Sequence, residues 1–199
     1  MASAVKLNRW NDSYTIRARK EGFPARSVFK LQEIQESFRI LKKGGRVLDL
    51  GCVPGSWLLF ASRTVGSKGF VVGVDITPIS LKLPPNVRFV QHDVLRPDAS
   101  FLDTVGGPFD TVLSDMAPSS TGNKFLDAHR SLELCESALA IAGHVLEAGG
   151  AFVCKIFHGA DFKVFSDQVK KSFGRVVHVR PKSTRKASRE IYVVGLGKN

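Results

Sequence analysis

Hydrophobic residues recur along this chain in two patterns, short apolar runs and longer stretches in which they return every three or four positions. The short runs have the length of buried strands and predict strands near residues 46–50, 70–74, 87–90, 111–114, 151–157, 176–179 and 190–195. The longer stretches predict helices near residues 27–38, 56–64, 128–146 and 162–173. Strands that alternate with helices in this way predict an α/β/α sandwich.

The connections between the runs predict how the strands are arranged. Helices or long connections separate the first five strands, so we expect those strands to be parallel. The last two strands are joined by a short basic loop over residues 181–188, which is typical of an antiparallel hairpin. At 199 residues and 43% hydrophobic, the chain suits one domain. We expect a basic helical segment over residues 1–45 and an α/β core over residues 46–199.

A glycine turn and two acids stand at the ends of the first three predicted strands. The first strand runs into VLDLGCVPGSW, where Gly51 and Gly55 let backbone amides approach a ligand. Asp75 ends the second strand, at a distance along the chain that suits hydrogen bonds to a ribose diol, and Asp93 follows the third. A glycine turn alone would fit a tight strand-to-helix corner equally well. Together with both acids at one sheet edge, it indicates a nucleoside site.

The same turn limits which nucleoside ligand is expected. Gly-Cys-Val-Pro-Gly lacks the G-x-G-x-x-G spacing of dinucleotide sites and the Lys-Ser/Thr end of a phosphate-binding loop. Asp49, two residues before Gly51, gives an Asp-Leu-Gly sequence that is similar to the first motif of S-adenosylmethionine-dependent methyltransferases. Carboxylates suit that cofactor, since it carries an ammonium and a sulfonium.

Five segments of the chain resemble the FtsJ/RrmJ family of RNA ribose 2′-O-methyltransferases. These segments are SVFKLQEI, VLDLGCVPGSW, VLSDMAP, FVCKIFHG and SREIYVV. The resemblance implies a Rossmann-like, seven-stranded class I methyltransferase fold with its last strand antiparallel. The family's catalytic Lys-Asp-Lys-Glu tetrad falls on Lys30, Asp115, Lys155 and Glu190. Its contacts to S-adenosylmethionine fall on Gly55, Trp57, Asp75, Asp93 and Asp115, beside Gly51 of the turn. Ser56 stands where the family usually has glycine, and we expect its side chain near the cofactor's tail.

Each member of the tetrad also has a plainer interpretation. Lys155 interrupts an apolar run that predicts a strand buried on both faces, where a lysine needs a partner or a function. Asp115 ends another such strand and points to the ligand crevice. Lys30 lies on an amphipathic helix, where a single lysine is usually solvated, and Glu190 would ordinarily form a salt bridge at a sheet edge. The resemblance assigns Lys155 as the base that deprotonates the ribose hydroxyl and leaves the carboxylates to orient the ammonium groups.

Charge is distributed unevenly along the chain, which has a net charge of +11. Residues 1–46 carry +7, residues 47–154 carry −4 and residues 155–199 carry +8. Because the tetrad joins the two basic flanks in space, we expect a basic surface around one pocket that binds an RNA backbone. The residues expected there are Arg17, Arg19, Lys20, Arg26, Lys182, Arg185, Lys186 and Arg189.

The sequence is compatible with more than one class of RNA substrate. The resemblance favours ribosomal RNA, a uridine of the large-subunit (23S-type) RNA above all, as free RNA or in the large ribosomal subunit. A tRNA ribose methyltransferase and a non-catalytic RNA-binding or ribosome-assembly factor are the alternatives. A base methyltransferase fits less well, since amino-group methylation typically uses an Asn/Asp-Pro-Pro-aromatic loop where this chain has SDMAP.

Cysteine, histidine and hydropathy patterns complete these expectations. Cys52, Cys135 and Cys154 are an odd number without close pairing, which predicts small buried thiols rather than disulfides or a zinc site. The five histidines show no ligand spacing, so no metal is expected. No apolar run has the length of a membrane span or a signal sequence. We therefore expect a monomer in the cytoplasm.

Overall fold

The computed structural model describes residues 13–97, 100–118, 122–159 and 161–199. They fold into a mixed sheet with helices on both faces. The strands are β1 (Arg46–Leu50), β2 (Phe70–Asp75), β3 (Val87–Gln91), β4 (Phe109–Ser114), β5 (Leu146–Phe157), β6 (Phe173–Val179) and β7 (Glu190–Lys198). The helices are α1 (Ser13–Lys20), α2 (Val28–Phe38), α3 (Ser56–Val65), α4 (Phe101–Val105), α5 (Lys124–Val145) and α6 (Asp161–Ser172). The predicted α/β class is confirmed.

Two helices were not predicted from the hydrophobic pattern. Helix α1 buries only Ala18, so it has no apolar stripe to recognise, and α4 spans little more than one turn. The first part of the predicted basic segment, residues 1–12, lies outside the described residues.

The strand order is β3-β2-β1-β4-β5-β7-β6. Strands β1 to β5 are parallel, and β7 is antiparallel to both of its neighbours. The predicted hairpin of β6 and β7 is confirmed, but β7 inserts between β5 and β6, which the sequence pattern did not predict. Glu190 is the first residue of β7 and so lies at the end of an interior strand, not on an edge strand. The carboxyl ends of β1 to β5 and the amino end of β7 meet at one edge of the sheet.

Two apolar layers cover the two faces of the sheet. On one face, alternate strand residues such as Leu48 and Val112 pack under α4, α5 and α6. On the other face, Val47, Leu113 and Val153 pack under α2 and α3. Burial on both faces explains why the central strands are almost continuously hydrophobic in sequence.

Helix α2 is attached to the loop between β6 and β7, far away in sequence. The carboxylate of Glu33 accepts hydrogen bonds from the backbone amides of Lys182, at 2.6 Å, and Ser183, at 2.9 Å. The Arg26 guanidinium, at the start of the same region, donates to the carbonyl of Ser183. These bonds bring the two basic flanks together and fix the position of α2 over the carboxyl edge of the sheet.

One carboxyl group is buried in the core beside β1. Asp49 is only 1% exposed, and neither of its side-chain oxygens has a hydrogen-bond partner among the described residues. Burial raises the pKa of Asp49 well above its usual range, and the carboxylates of Asp115 and Asp75 raise it further. An unpartnered carboxyl in this setting lowers stability when it ionises.

Asp49→Asn is expected to raise the thermal unfolding midpoint of the ligand-free protein, and the gain should grow with pH. Since the pKa of Asp49 is higher in the folded state, unfolding releases its proton and the wild type loses stability as pH rises above about 4. Asparagine cannot ionise and avoids this loss. Thermal denaturation of both proteins at a series of pH values from about 5 to about 8 measures the difference. A difference that stays constant with pH would contradict this interpretation of Asp49.

Candidate active site

An open cavity of about 360 Å³ lies at the carboxyl edge of the sheet, beside the ends of β1, β2, β3 and β4. Its lining includes four residues that were predicted for a nucleoside site, Gly51, Asp75, Asp93 and Asp115. We call it the acidic cavity, because three of these four residues carry carboxylates. The sequence-based expectation that these strand ends share one edge is confirmed by the geometry.

The glycine turn after β1 forms one wall of the acidic cavity. Gly51 has φ of 73°, and a Cβ atom there would lie 2.3 Å from Cγ of Met116. No other residue type fits this conformation and this space. The Asp75 carboxylate holds the turn, since Oδ2 accepts the Val53 amide at 2.9 Å and Oδ1 accepts the Thr77 amide at 2.8 Å. Each carboxylate oxygen keeps further acceptor capacity for a ligand.

Three residues near the turn lie elsewhere than the sequence predicted. Gly55 and Trp57 do not line the acidic cavity: a Cβ on Gly55 would meet Leu81 at 2.3 Å, and Trp57 is 3% exposed. The Trp57 indole donates to the carbonyl of Ser27 at 2.9 Å. The Ser56 hydroxyl bonds both the amide and the carbonyl of Ala25, so its side chain faces the N-terminal segment. At the start of α3 these side chains point back toward the N-terminal segment rather than into the cavity.

The four residues of the expected tetrad come together as two ion pairs. Lys155 Nζ lies 2.9 Å from Asp115 Oδ1 and 2.5 Å from the Asp115 carbonyl oxygen. Lys30 Nζ lies 2.5 Å from Glu190 Oε1. The four side chains are between 9% and 16% exposed, so both pairs are largely shielded from water. Pairing at this depth explains how charged residues are accommodated, because an unpaired charge there would be strongly destabilising.

Tyr192 connects the two ion pairs, and the sequence analysis did not identify it. Its hydroxyl donates to Asp115 Oδ1 at 2.6 Å, and Lys30 Nζ lies 5.9 Å from the centre of its ring. Burial raises the pKa of Tyr192 well above its usual range, as do the charges of Asp115 and Glu190, so the phenol stays protonated and donates. The available signal was its spacing: Tyr192 stands two positions after Glu190 on a strand and shares its face.

The basic residues of the two flanks meet on the side of α2 that faces the β6–β7 loop. Burial lowers the pKa of Arg26, and the nearby charge of Arg185 lowers it further, in agreement with the bond from Arg26 to the Ser183 carbonyl. Arg17 is exposed on α1, stacks over Phe29 at 4.6 Å and pairs with Glu21 at 2.6 Å. The other predicted residues of this surface are also exposed; they are Arg19, Lys20, Lys182, Arg185, Lys186 and Arg189.

The thiols of Cys52, Cys135 and Cys154 are buried and unbridged, as the sequence predicted. Within the described ranges, His, Cys, Asp and Glu form no group of three that could hold a metal ion. None of the helices in the described part of the chain is long and apolar enough to cross a bilayer.

Comparisons with known proteins identify the family. The model of the FtsJ-like methyltransferase family matches residues 23–198. Ribosomal RNA large subunit methyltransferase E of Desulfatibacillum aliphaticivorans is 55% identical over 96% of this chain and 92% of its own length. The protein of the same name from Desulforapulum autotrophicum is 51% identical over 97% of this chain and 95% of its own length.

Solved structures agree with this assignment. The crystal structure of a candidate ribosomal RNA methyltransferase from Plasmodium falciparum is 29% identical, with a TM-score of 0.77 over 88% of this chain and 98% of the other. A candidate rRNA methylase from Clostridium thermocellum, 21% identical with a TM-score of 0.60 over 85% of this chain and 97% of the other, shows the same fold. With the match to the family model, these similarities establish that the chain belongs to the FtsJ-like methyltransferase family.

Proposed function

We propose that this protein transfers the methyl group of S-adenosylmethionine to a ribose 2′-hydroxyl of ribosomal RNA, with a uridine of the large-subunit RNA as the expected target. One observation carries the proposal: Tyr192 joins two shielded lysine–carboxylate pairs, and Asp115 of one pair lines the acidic cavity. The large-subunit substrate is supported by the name of the relatives that are 51% and 55% identical over nearly the whole chain.

The acidic cavity fits S-adenosylmethionine in size and charge. Its volume of about 360 Å³ lies in the usual range for small-molecule sites. Asp75, Asp93 and Asp115 would hold the cofactor, since carboxylates complement an ammonium and a sulfonium and accept hydrogen bonds from a ribose diol. Gly51 lets the backbone approach it closely, while Gly55 and Trp57 would support the turn from behind. When bound, the cofactor supplies an electrophilic methyl group.

The tetrad would then prepare the ribose for attack. A ribose hydroxyl is a poor nucleophile until a base removes its proton. Lys155 would accept that proton on a neutral amine, and Asp115 would orient it through a carboxylate oxygen and its own carbonyl, both of which contact Lys155 Nζ. Tyr192 fixes the Asp115 carboxylate, and the pair of Lys30 and Glu190 borders the same space. This arrangement positions the reacting groups before the substrate arrives, which is a large part of the rate enhancement.

The basic surface would bind the RNA backbone beside this site. Its eight predicted residues come from α1, from the segment before α2 and from the β6–β7 loop, and the bonds of Glu33 hold α2 to that loop. Positive charge at the rim and negative charge inside the acidic cavity separate two ligands of opposite charge. The RNA is attracted to the rim, and the cationic cofactor is attracted to the cavity.

Lys155→Ala is expected to lower the single-turnover methylation rate by about 10²- to 10⁴-fold, because it removes a positioned base. Lys155→Arg should lower the rate almost as much, since guanidinium keeps the charge but does not release its proton near neutral pH. Rates are measured on bound RNA with labelled cofactor, and calorimetry checks that cofactor affinity is retained.

Lys170→Ala is the matched control, because Lys170 also pairs with an aspartate, at 2.8 Å, but is exposed on α6. Its rate should equal that of the wild type. A Lys155→Arg variant with a near-normal rate would show that Lys155 acts through charge alone and would overturn its role as the base.

Replacing Lys182, Arg185 and Lys186 together with glutamine is expected to weaken RNA binding and to flatten its dependence on salt. Three fewer phosphate contacts should reduce the slope of log affinity against log salt by about 2 for single-stranded RNA. Titrations at several salt concentrations measure the slope, and cofactor affinity should not change.

The control variant replaces Lys42, Lys43 and Lys68 with glutamine as well. These lysines are exposed before β1 and β2, at the opposite edge of the sheet. It removes the same charge from the protein and should leave the slope close to that of the wild type. Equal slopes for both triple variants would mean that the RNA does not follow the β6–β7 loop.

A further inference from the structure

Another cavity, of about 310 Å³, opens on the far side of the segment that follows β4. We call it the Phe157 cavity; its lining includes Pro118, Phe157, Ala187, Ser188 and Arg189. Residues 115–117 line the acidic cavity and Pro118 lines the Phe157 cavity, so one short segment separates the two. The proposed function assigns no ligand to this second space.

Strand register places the Phe157 cavity directly beside the tetrad. Phe157 stands two positions after Lys155 on β5, so both side chains lie on the same face of the sheet. Phe157 is also the register partner of Glu190, and Lys155 is the partner of Tyr192. Lys155 and Glu190 of the tetrad therefore neighbour Phe157 on one face of the sheet.

Hydrogen bonds hold the loop that walls this cavity. The Ser188 hydroxyl accepts the Glu190 amide at 3.2 Å, and the Ser188 carbonyl accepts Arg180 Nη2 at 2.7 Å. The Arg189 carbonyl accepts the amide of His158 at 2.8 Å, which joins the loop to the end of β5. The wall is thus set by the fold before a ligand binds.

We propose that the Phe157 cavity receives the base of the nucleotide whose ribose is methylated, with the Phe157 ring as its stacking partner. This inference rests on the proposed function. A ribose that meets Lys155 from one side and a methyl donor in the acidic cavity from the other must place its base outside the acidic cavity. The Phe157 cavity lies across residues 115–118 from the acidic cavity, and Phe157 shares a sheet face with Lys155.

The lining chemistry matches an unpaired nucleotide. Pro118 and Phe157 offer apolar surfaces to the faces of a base, and Ser188 offers a hydroxyl to its edge. Arg189 is exposed at the rim, where a guanidinium suits the adjoining phosphate. A base reaches such a pocket only when it leaves its helical stack, so the target is an unpaired or extruded nucleotide.

A double-mutant cycle, with one change in the protein and one in the RNA, tests the stacking contact. One change is Phe157→Leu, which keeps an apolar side chain but removes the ring, and the other is an abasic ribose at the methylated position of an RNA substrate. Each change alone should lower the rate at sub-saturating RNA by about 5- to 150-fold, the range found for loss of one base–aromatic stack. Together they should cost little more than either alone, because both remove the same contact.

Controls separate stacking from folding. Phe157→Tyr keeps the ring and should retain most of the rate, and cofactor affinity by calorimetry should be unchanged in both variants. Phe38→Leu alters another half-buried phenylalanine, beside the amino-terminal edge of the sheet, and should behave as the wild type on both RNAs.

The outcomes distinguish the two proposals. Suppose that the wild type methylates ribose and that the rate losses caused by the two changes multiply. The base then does not stack on Phe157, and the inference fails while the proposed function stands. Full activity of the wild type on the abasic RNA would overturn the inference in the same way. If the wild type methylates no ribose on either RNA, the proposed function itself fails.

Discussion

The ion pair of Lys155 with Asp115 is the interaction on which the rest of the site depends. A lysine in the middle of a strand buried on both faces is tolerated only with a partner, and Asp115 provides two contacts from the end of the neighbouring strand β4. This contact requires β4 and β5 to be adjacent and in register, which they are from Thr111 and Ala151 onward. The buried charge that lowers the stability of the core is also the group that we propose as the catalytic base.

The insertion of β7 between β5 and β6 completes the arrangement. It places Tyr192 next to Lys155 and Glu190 next to Phe157, so that one member of each ion pair and both aromatic residues come from two adjacent strands. Helix α2 adds Lys30 from outside the sheet, and the contacts of Glu33 with the β6–β7 loop fix that helix. One network of backbone and side-chain bonds therefore builds the tetrad and gathers the basic surface beside it.

Residues whose environment is determined by the local pattern could be predicted from the sequence. Lys155 stands out because it breaks an apolar run, and Asp75 and Asp93 stand out because they follow strands that must share an edge. Side-chain direction within a turn is not determined in this way, which is why Trp57 and Ser56 face the N-terminal segment and not the acidic cavity. Tyr192 was missed because its spacing from Glu190 shows only a shared strand face, whereas its contact with Asp115 depends on long-range strand pairing.

The central claim is that this site methylates a ribose oxygen, and the position of the transferred methyl group tests it most directly. RNA is treated with the protein and methyl-labelled S-adenosylmethionine, digested to nucleosides and analysed by mass spectrometry. The account predicts that the label appears in a 2′-O-methylated nucleoside and that the linkage on its 3′ side resists alkaline hydrolysis, since the 2′-hydroxyl needed for that cleavage is blocked. Label in a base-methylated nucleoside, or RNA that stays unlabelled by a protein that binds both ligands, would contradict the account.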